Sequence, residues 1–252
     1  MIKYSYHILH ELGQRSNQED SVFPELGSVD SNGVFIVCDG MGGHDAGEVA
    51  SSVVCDTLSS CPDLPFEEAL ALAYDALDAK DDGSLRKMGT TLAYLRIAED
   101  HAFVAHIGDS RVYQIRPSEK RIVFVTRDHS LVNELVEAGE ITMEEARAHP
   151  QRNVITRAMQ PNCERASAEI QLLSDVRPGD WFFICSDGML ESMDNANIVN
   201  IISMHASDER KLGIFKSVTS NARDNHSAIM IKILGEEKGI RGFIQKTWPF
   251  IK

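Results

Sequence analysis

A layered α+β sandwich built on antiparallel sheets is the fold the amino-acid sequence predicts, and three observations carry it. Short apolar runs of strand character recur along the chain, several separated by only two to six residues, which suits hairpins and is too short for parallel crossovers. Long segments of helical periodicity flank these runs instead of alternating with each one. No internal repeat or low-complexity linker divides the 252 residues, so a single domain is expected.

The strand-like runs are, in order, "KYSYHILHEL", "GVFIVCD", "TLAYLRIA", "HAFVAHIG", "SRVYQIR", "RIVFVT", "DWFFICSDG" and "SAIMIKIL". Helical patterns cover about residues 43–60, 66–80, 130–138, 142–148, 195–206 and 208–223, with apolar residues opposite small or polar ones. The stretch from Ser130 to Met159 interrupts the strand series with short helices and "AHPQRN", and is expected to form a flap, about residues 130–160, over one edge of a domain spanning 1–235. The remainder, 236–252, reads "EEKGIRGFIQKTWPFIK" and sets Phe243, Ile244, Trp248, Phe250 and Ile251 among basic residues. It is too short and interrupted for a stable membrane anchor and reads as a packed or partner-docking tail.

Composition excludes several classes. The 38 acidic residues outnumber the 25 basic ones, and a net charge of −13 opposes nonspecific binding to nucleic acid or to an anionic membrane. The same balance suits a protein that collects divalent cations. Five scattered cysteines without C-x-x-C spacing make a disulfide framework or a zinc site improbable and predict a reducing, cytoplasmic setting. "MIKYSYHILHELG" lacks the apolar core of a signal peptide, and no run approaches the roughly 18 apolar residues of a membrane span. The chain is expected to be a monomer.

The stretch "VFIVCDGMGGH", residues 34–44, raises the central chemical question, because it runs an apolar strand into Asp39 and then a glycine loop. Glycine turns after strands often cradle phosphate with backbone N–H groups, whereas an Asp in that place more often holds a cation. The spacing separates the two. A dinucleotide fingerprint would need glycine at Asp45, and no G-x-x-x-x-G-K-[ST] occurs in the chain. Asp39 would also repel a pyrophosphate, so a cation ligand is the leading reading.

Other acidic residues sit at the ends of apolar runs: Glu19 and Asp20 in "GQRSNQED", Asp109 in "HIGDSR", Asp187 in "FFICSDG" and Asp224 in "ARDNHSAI". Singly, an Asp beside glycine is most often a turn former or a helix cap. Jointly, strands that end at one rim would gather these carboxylates. All-oxygen shells suit magnesium and manganese, whereas zinc calls for His or Cys.

With these stretches assembled, the sequence resembles the protein phosphatase 2C family of metal-dependent serine/threonine phosphatases in its short bacterial form. The resemblance spans about residues 10–234, through "GQRSNQED", "DGMGGHDAGEVAS", "MGTTL", "HIGDSRVY", "TRDHS", "NVITRAMQ", "SDGM" and "DNHSAI" in the family's order. It implies a four-layer α/β/β/α sandwich with the metals at one end of two antiparallel sheets. It also implies that Asp39 bridges two manganese or magnesium ions, that the Gly40 carbonyl is a further ligand, and that Asp187 and Asp224 complete the first metal. Glu19 and Asp20 match the acidic pair near the second, Asp109 matches the residue of a third, looser ion, and Arg15 matches the phosphate-binding arginine.

The implied reaction is hydrolysis of protein phosphoserine and phosphothreonine by a water held between the two ions, without a phosphoenzyme. That agrees with the residues, since no cysteine has an Arg six positions later, as a cysteine-dependent phosphatase requires. Nor does "DHS" at 128–130 make a triad, because sequence neighbours do not generally converge on one point. Two positions depart from the family pattern. Met41 stands where many eukaryotic members have a proton-donating His, leaving His44 either as the general acid or as a helix-start or substrate-facing residue, and Gln160 replaces a usual glycine. A noncatalytic phosphoprotein-binding module of the same fold and a small-metabolite phosphatase are the alternatives.

Overall fold

The computed structural model describes residues 2–28, 32–42, 46–81 and 88–236. Its elements run β1 (Ile2–Glu11), β2 (Asp20–Phe23), β3 (Val34–Met41), α1 (Ala46–Ser60), α2 (Phe66–Lys80), β4 (Gly89–Thr90), β5 (Leu92–Ile97), β6 (Ala102–Ile107), β7 (Arg111–Arg116) and β8 (Arg121–Val125). They continue with α3 (Leu131–Glu137), α4 (Met143–Ala148), β9 (Glu169–Leu173), β10 (Trp181–Cys185), a 3-10 turn (Asp187–Glu191), α5 (Asn195–Ile202), α6 (Asp208–Thr219) and β11 (His226–Glu236). One sheet has the order β1-β11-β10-β7-β8 and the other β2-β3-β5-β6-β9, with β4 against β3; every pairing between these strands is antiparallel.

The layering follows from strand periodicity. Successive side chains point to opposite faces, so a strand buried on both faces must be apolar at consecutive positions. In β3, Val34, Ile36 and Cys38 pack with α1 and α2, while Phe35 and Val37 enter the space between the sheets. In β10, Phe182 and Ile184 face that same space, while Trp181, Phe183 and Cys185 pack with α5 and α6. Three apolar layers therefore separate four structural ones, in the order α1/α2, sheet, sheet, α5/α6. Each fully buried aromatic or aliphatic side chain in them contributes about 1.5–3 kcal/mol.

Helix boundaries match the periodic segments closely, with local chemistry fixing the ends. α4 starts in a capping box, the Thr142 hydroxyl accepting from the Glu145 N–H while Glu145 reaches back to the Thr142 N–H, and α5 starts in another between Asp194 and Asn197. α5 and α6 end earlier than periodicity suggests, at Ile202 and Thr219, and the shortening of α6 frees residues 220–225 to turn into β11. Sequence patterning missed β2, β4 and β9. Each is short, and β9 is an edge strand exposed at Glu169, Ile170, Gln171 and Leu172, so none shows a sustained apolar signal.

The 130–160 segment is tied at its root by antiparallel bridges Ser130↔Ile155 and Thr90↔Met159. Of the segment expected as a tail, Glu236 closes the backbone of β11, and 237–252 lie outside the described residues. Among the described residues no helix is long and apolar enough to cross a membrane.

Candidate active site

Antiparallel pairing brings the acidic residues to one rim. Asp20, at the start of β2, is the cross-strand partner of Asp39, near the end of β3. Like charges placed directly opposite are destabilising, so this register needs a compensating charge. β10 and β11 deliver two more carboxylates to the same rim, Asp187 opening the 3-10 turn after β10 and Asp224 lying just before β11. Asp109 comes from the β6–β7 connection.

Neighbouring glycines permit this convergence. A Cβ on Gly40 would overlap the carbonyl oxygens of Gly47 and Glu19, and a Cβ on Gly47 would sit 2.9 Å from the Glu19 carboxyl carbon. The start of α1 can therefore close on the end of β3 only with glycine at both positions. The Gly40 N–H donates to the Glu19 carbonyl at 3.0 Å.

The backbone of Asp39 is clamped on both sides. Its N–H donates to Thr91 Oγ1 at 3.0 Å, and its carbonyl accepts from Thr90 Oγ1 at 3.0 Å and from the Thr91 N–H at 2.9 Å. Thr91 Oγ1 also shares a hydrogen bond with Ser110 Oγ at 2.7 Å, linking Asp39 to the residue after Asp109. These two threonines explain "MGTTL".

Asp20 is buried, and its Oδ2 accepts from Ser186 Oγ at 2.8 Å and Ser227 Oγ at 2.7 Å, whereas its Oδ1 has no hydrogen-bond partner. With its own proton committed to Asp20, Ser227 Oγ accepts from His10 Nδ1 at 2.9 Å, which fixes His10 as the Nδ1–H tautomer. Burial holds the His10 pKa below its usual value, outweighing the Glu11 charge. The serines were absent from the sequence-level ligand set; their signal lay in "CSDG" and "NHSA", one and three residues from Asp187 and Asp224. We expect Ser227→Ala to weaken manganese affinity by about 10- to 100-fold with the fold intact, the usual effect of removing a group that orients a ligand, as calorimetric titration will show.

Without cations, four of these carboxylates are raised above the usual carboxylate range. Burial pushes Asp20 up to about 7, its two serine hydrogen bonds acting the other way. Burial also pushes Asp39 well above the carboxylate range, with the charges of Asp20, Asp187 and Asp109 adding to it and a hydrogen bond to Asp187 retaining its proton. Asp187 rises through burial, and Asp109 is pushed up to about 7 by burial and by the charges of Asp187 and Asp128. A buried oxygen lacking a partner and two carboxylates set directly opposite each other mark places where hard cations fit, and these side chains offer oxygen ligands.

Arg15 Nη2 donates to Asp224 Oδ2 at 2.6 Å, and the side chain is 54% exposed. Asn225 holds the loop that carries it: its Nδ2 donates to the carbonyls of Leu12 at 2.8 Å and Asn17 at 3.0 Å, while its Oδ1 accepts from the Glu19 N–H at 2.8 Å. Gly13, at φ +64°, lets that loop pass where a Cβ would strike the Asp224 carbonyl. Arg111 forms a two-bond fork on Asp128, Nε to Oδ1 and Nη2 to Oδ2, both 2.6 Å. The Asp128 charge also acts on Asp109, which sets at the edge of the cluster a residue that the sequence suggested only as part of a rejected triad in "DHS".

The structure therefore brings Asp20, Asp39, Asp187 and Asp109 into mutual electrostatic contact, with Asp224 and Arg15 alongside and Glu19 and Gly40 in the adjoining backbone. His44 lies outside the described residues. The two departures from the family pattern lie together: Met41 and Gln160 both flank Gly89, whose added Cβ would meet Met41 Cγ at 3.3 Å and Gln160 Cγ at 3.1 Å. A separate trio, His106, His129 and Glu169, has metal-like spacing. Its chemistry opposes a cation, because His129 Nδ1 accepts from the Gly108 N–H, leaving the proton on Nε2, and Arg157 Nη1 lies 3.4 Å from that nitrogen.

A four-layer α/β/β/α sandwich with an all-oxygen carboxylate cluster at one rim defines the class of metal-dependent phosphatases. The Protein phosphatase 2C family profile matches residues 10–226, and the chain belongs to that family. It is 34% identical over 210 residues to the protein phosphatase PhpP of Streptococcus pneumoniae, covering 78% of this chain and 83% of that one. The Mycobacterium tuberculosis serine/threonine phosphatase PstP superposes with a TM-score of 0.82 at 28% identity, over 93% of this chain and 100% of that one. The PstP catalytic domain solved with two manganese ions gives a TM-score of 0.76 at 27% identity, over 93% and 100% of the two chains.

Proposed function

We propose that the chain is a serine/threonine protein phosphatase that hydrolyses phosphoserine and phosphothreonine esters using two manganese or magnesium ions. The observation that carries this reading is the rim cluster, in which Asp20 Oδ1 lacks a partner and Asp20 stands directly across from Asp39. Asp39 is assigned as the bridging ligand, with the Gly40 carbonyl, Asp187 and Asp224 on one ion, Glu19 and Asp20 near the other, and Asp109 for a third, looser one. Bound there, the ions lower the pKa of a water and neutralise charge on the phosphoryl group. Residues 1–235 form the catalytic domain, with 130–160 as the flap beside it. The substrates are phosphoproteins made by a serine/threonine kinase, and the chain acts as a cytoplasmic monomer in signalling.

Arg15 contributes by position. Its exposed guanidinium, held by one hydrogen bond to Asp224, has donors left to fork onto two phosphoryl oxygens. Arg15→Ala should raise KM for an aryl phosphate markedly with a smaller loss of kcat, and an unchanged KM would remove Arg15 from the site.

Met41 has no proton to give, so protonation of the leaving oxygen falls to His44 or to water. If His44 is the acid, His44→Ala will cut kcat/KM far more for phosphothreonine peptide than for nitrophenyl phosphate, and the slope across graded aryl phosphates will steepen. A slope equal to wild type assigns the proton to water.

The activity itself is tested with nitrophenyl phosphate, phosphopeptides and sugar phosphates, with and without manganese. Manganese-dependent turnover favouring phosphopeptides supports the reading. No turnover would leave a noncatalytic binding module, and preference for sugar phosphates a metabolite phosphatase.

A further inference from the structure

The rim opposite the carboxylates carries a groove of about 850 Å³ that the phosphatase chemistry does not use. It is built where β3 begins, β5 ends and β6 begins, against the α1–α2 connection. Its floor is aromatic: the rings of Phe66 and Tyr94 lie 5.1 Å apart, Phe66 and Phe103 5.3 Å, and Tyr94 and Phe103 6.1 Å. Its margin is acidic, with exposed Asp63, Glu67 and Glu99 set against Arg96.

The chain supplies a segment of matching chemistry at the same rim. β11 ends at Glu236, paired with Ile2 of β1, and Tyr4, two residues along β1, lines the groove. The Tyr4 hydroxyl accepts from the Gly33 N–H at 2.9 Å, tying the start of β1 to the groove wall. Beyond Glu236, residues 237–252 carry four basic residues against one acidic, interleaved with Ile240, Phe243, Ile244, Trp248, Phe250 and Ile251. Sixteen residues reach up to about 50 Å when extended, well beyond what the groove requires.

We propose that residues 237–252 dock in cis into this groove, their aromatic residues on the Phe66, Tyr94 and Phe103 floor and their basic residues against Asp63, Glu67 and Glu99. Aromatic burial supplies the affinity, and opposite charge on the margin sets orientation. Tethering supplies the rest, since a short linker holds the segment at a millimolar effective concentration.

The test reads Trp248 in the full chain. The only other tryptophan, Trp181, is buried, and the Trp248→Phe variant supplies its background signal. Wild-type Trp248 should emit to the blue and be quenched by acrylamide several-fold less than free tryptophan. Asp63→Lys with Glu67→Lys, both on the exposed margin, should shift the emission to the red and raise quenching several-fold, while the circular dichroism melt stays unchanged. Adding Arg241→Glu and Lys246→Glu to that variant should restore shielding. The proposal is overturned if wild-type Trp248 quenches like free tryptophan, or if shielding ignores the charge reversal. Shielding that fades on dilution would place the segment on a second copy, and shielding that appears only with anionic vesicles would place it on a membrane; either result overturns docking in cis.

Discussion

Asp39→Asn is expected to abolish manganese-dependent turnover by at least about 10²- to 10³-fold, the scale on which one charged group acts in a preorganised site. The structure adds a way to separate this loss from misfolding. In the cation-free chain burial and the charges of Asp20, Asp187 and Asp109 raise the Asp39 pKa, so a neutral Asn removes like-charge repulsion there and its amide N–H can donate to Asp187. The metal-free melting temperature of Asp39→Asn should therefore equal or exceed that of the parent. The rise produced by manganese should vanish, because a neutral amide cannot balance two cations. Asp187→Asn and Asp224→Asn should follow the same pattern in activity. Near-normal turnover in Asp39→Asn would sink the bridging assignment.

The second large effect is a crossover in pH dependence between the metal-free and manganese-loaded protein. Asp20 and Asp109 are pushed up to about 7 in the folded state, and Asp39 and Asp187 are raised as well, against about 3.9 in an unfolded chain. A raised folded pKa means the folded state binds more protons in this window. That contribution to stability is complete below the unfolded pKa and is lost as pH rises through the folded one. Metal-free protein should melt at progressively lower temperature from pH 5 to pH 8. The ion pairs on Arg116 do not mask this, because Asp175 titrates below the usual carboxylate range. Manganese needs the deprotonated carboxylates, so its stabilisation grows over the same window. At one hundred times Kd one site adds about 2.7 kcal/mol, which for a domain of this size is roughly 5–10 °C in Tm. Differential scanning calorimetry at pH 6 and pH 8, with EDTA or manganese, measures both slopes, and parallel slopes would refute the linkage.

Much of this was legible from residues alone. The strand and helix series followed from periodicity, because strands buried on both faces leave runs such as "VFIVC" and "WFFIC" that few other elements produce. Asp39, Asp187 and Asp224 stood out because each breaks or abuts such a run beside a turn. The ligand-supporting serines, Asn225, and Asp128 with Arg111 were not legible as a group. Ser186 and Ser227 are 41 residues apart in the chain, and both lie far from Asp20, to which they donate.

The sequence by itself determined the fold class, the family and the carboxylate-rich chemistry, since periodicity, spacing and residue type are local properties that survive without coordinates. Only the tertiary structure decided which carboxylates confront one another, which of them burial raises in pKa, and that Met41 and Gln160 flank one glycine. It also decided that an acidic, aromatic-floored groove lies on the rim from which the basic tail departs. These depend on sheet register and on burial. A one-residue slip in the β2–β3 pairing would turn Asp20 away from Asp39 without altering a letter of either strand, and the free energy of a charge is set by what surrounds it in space.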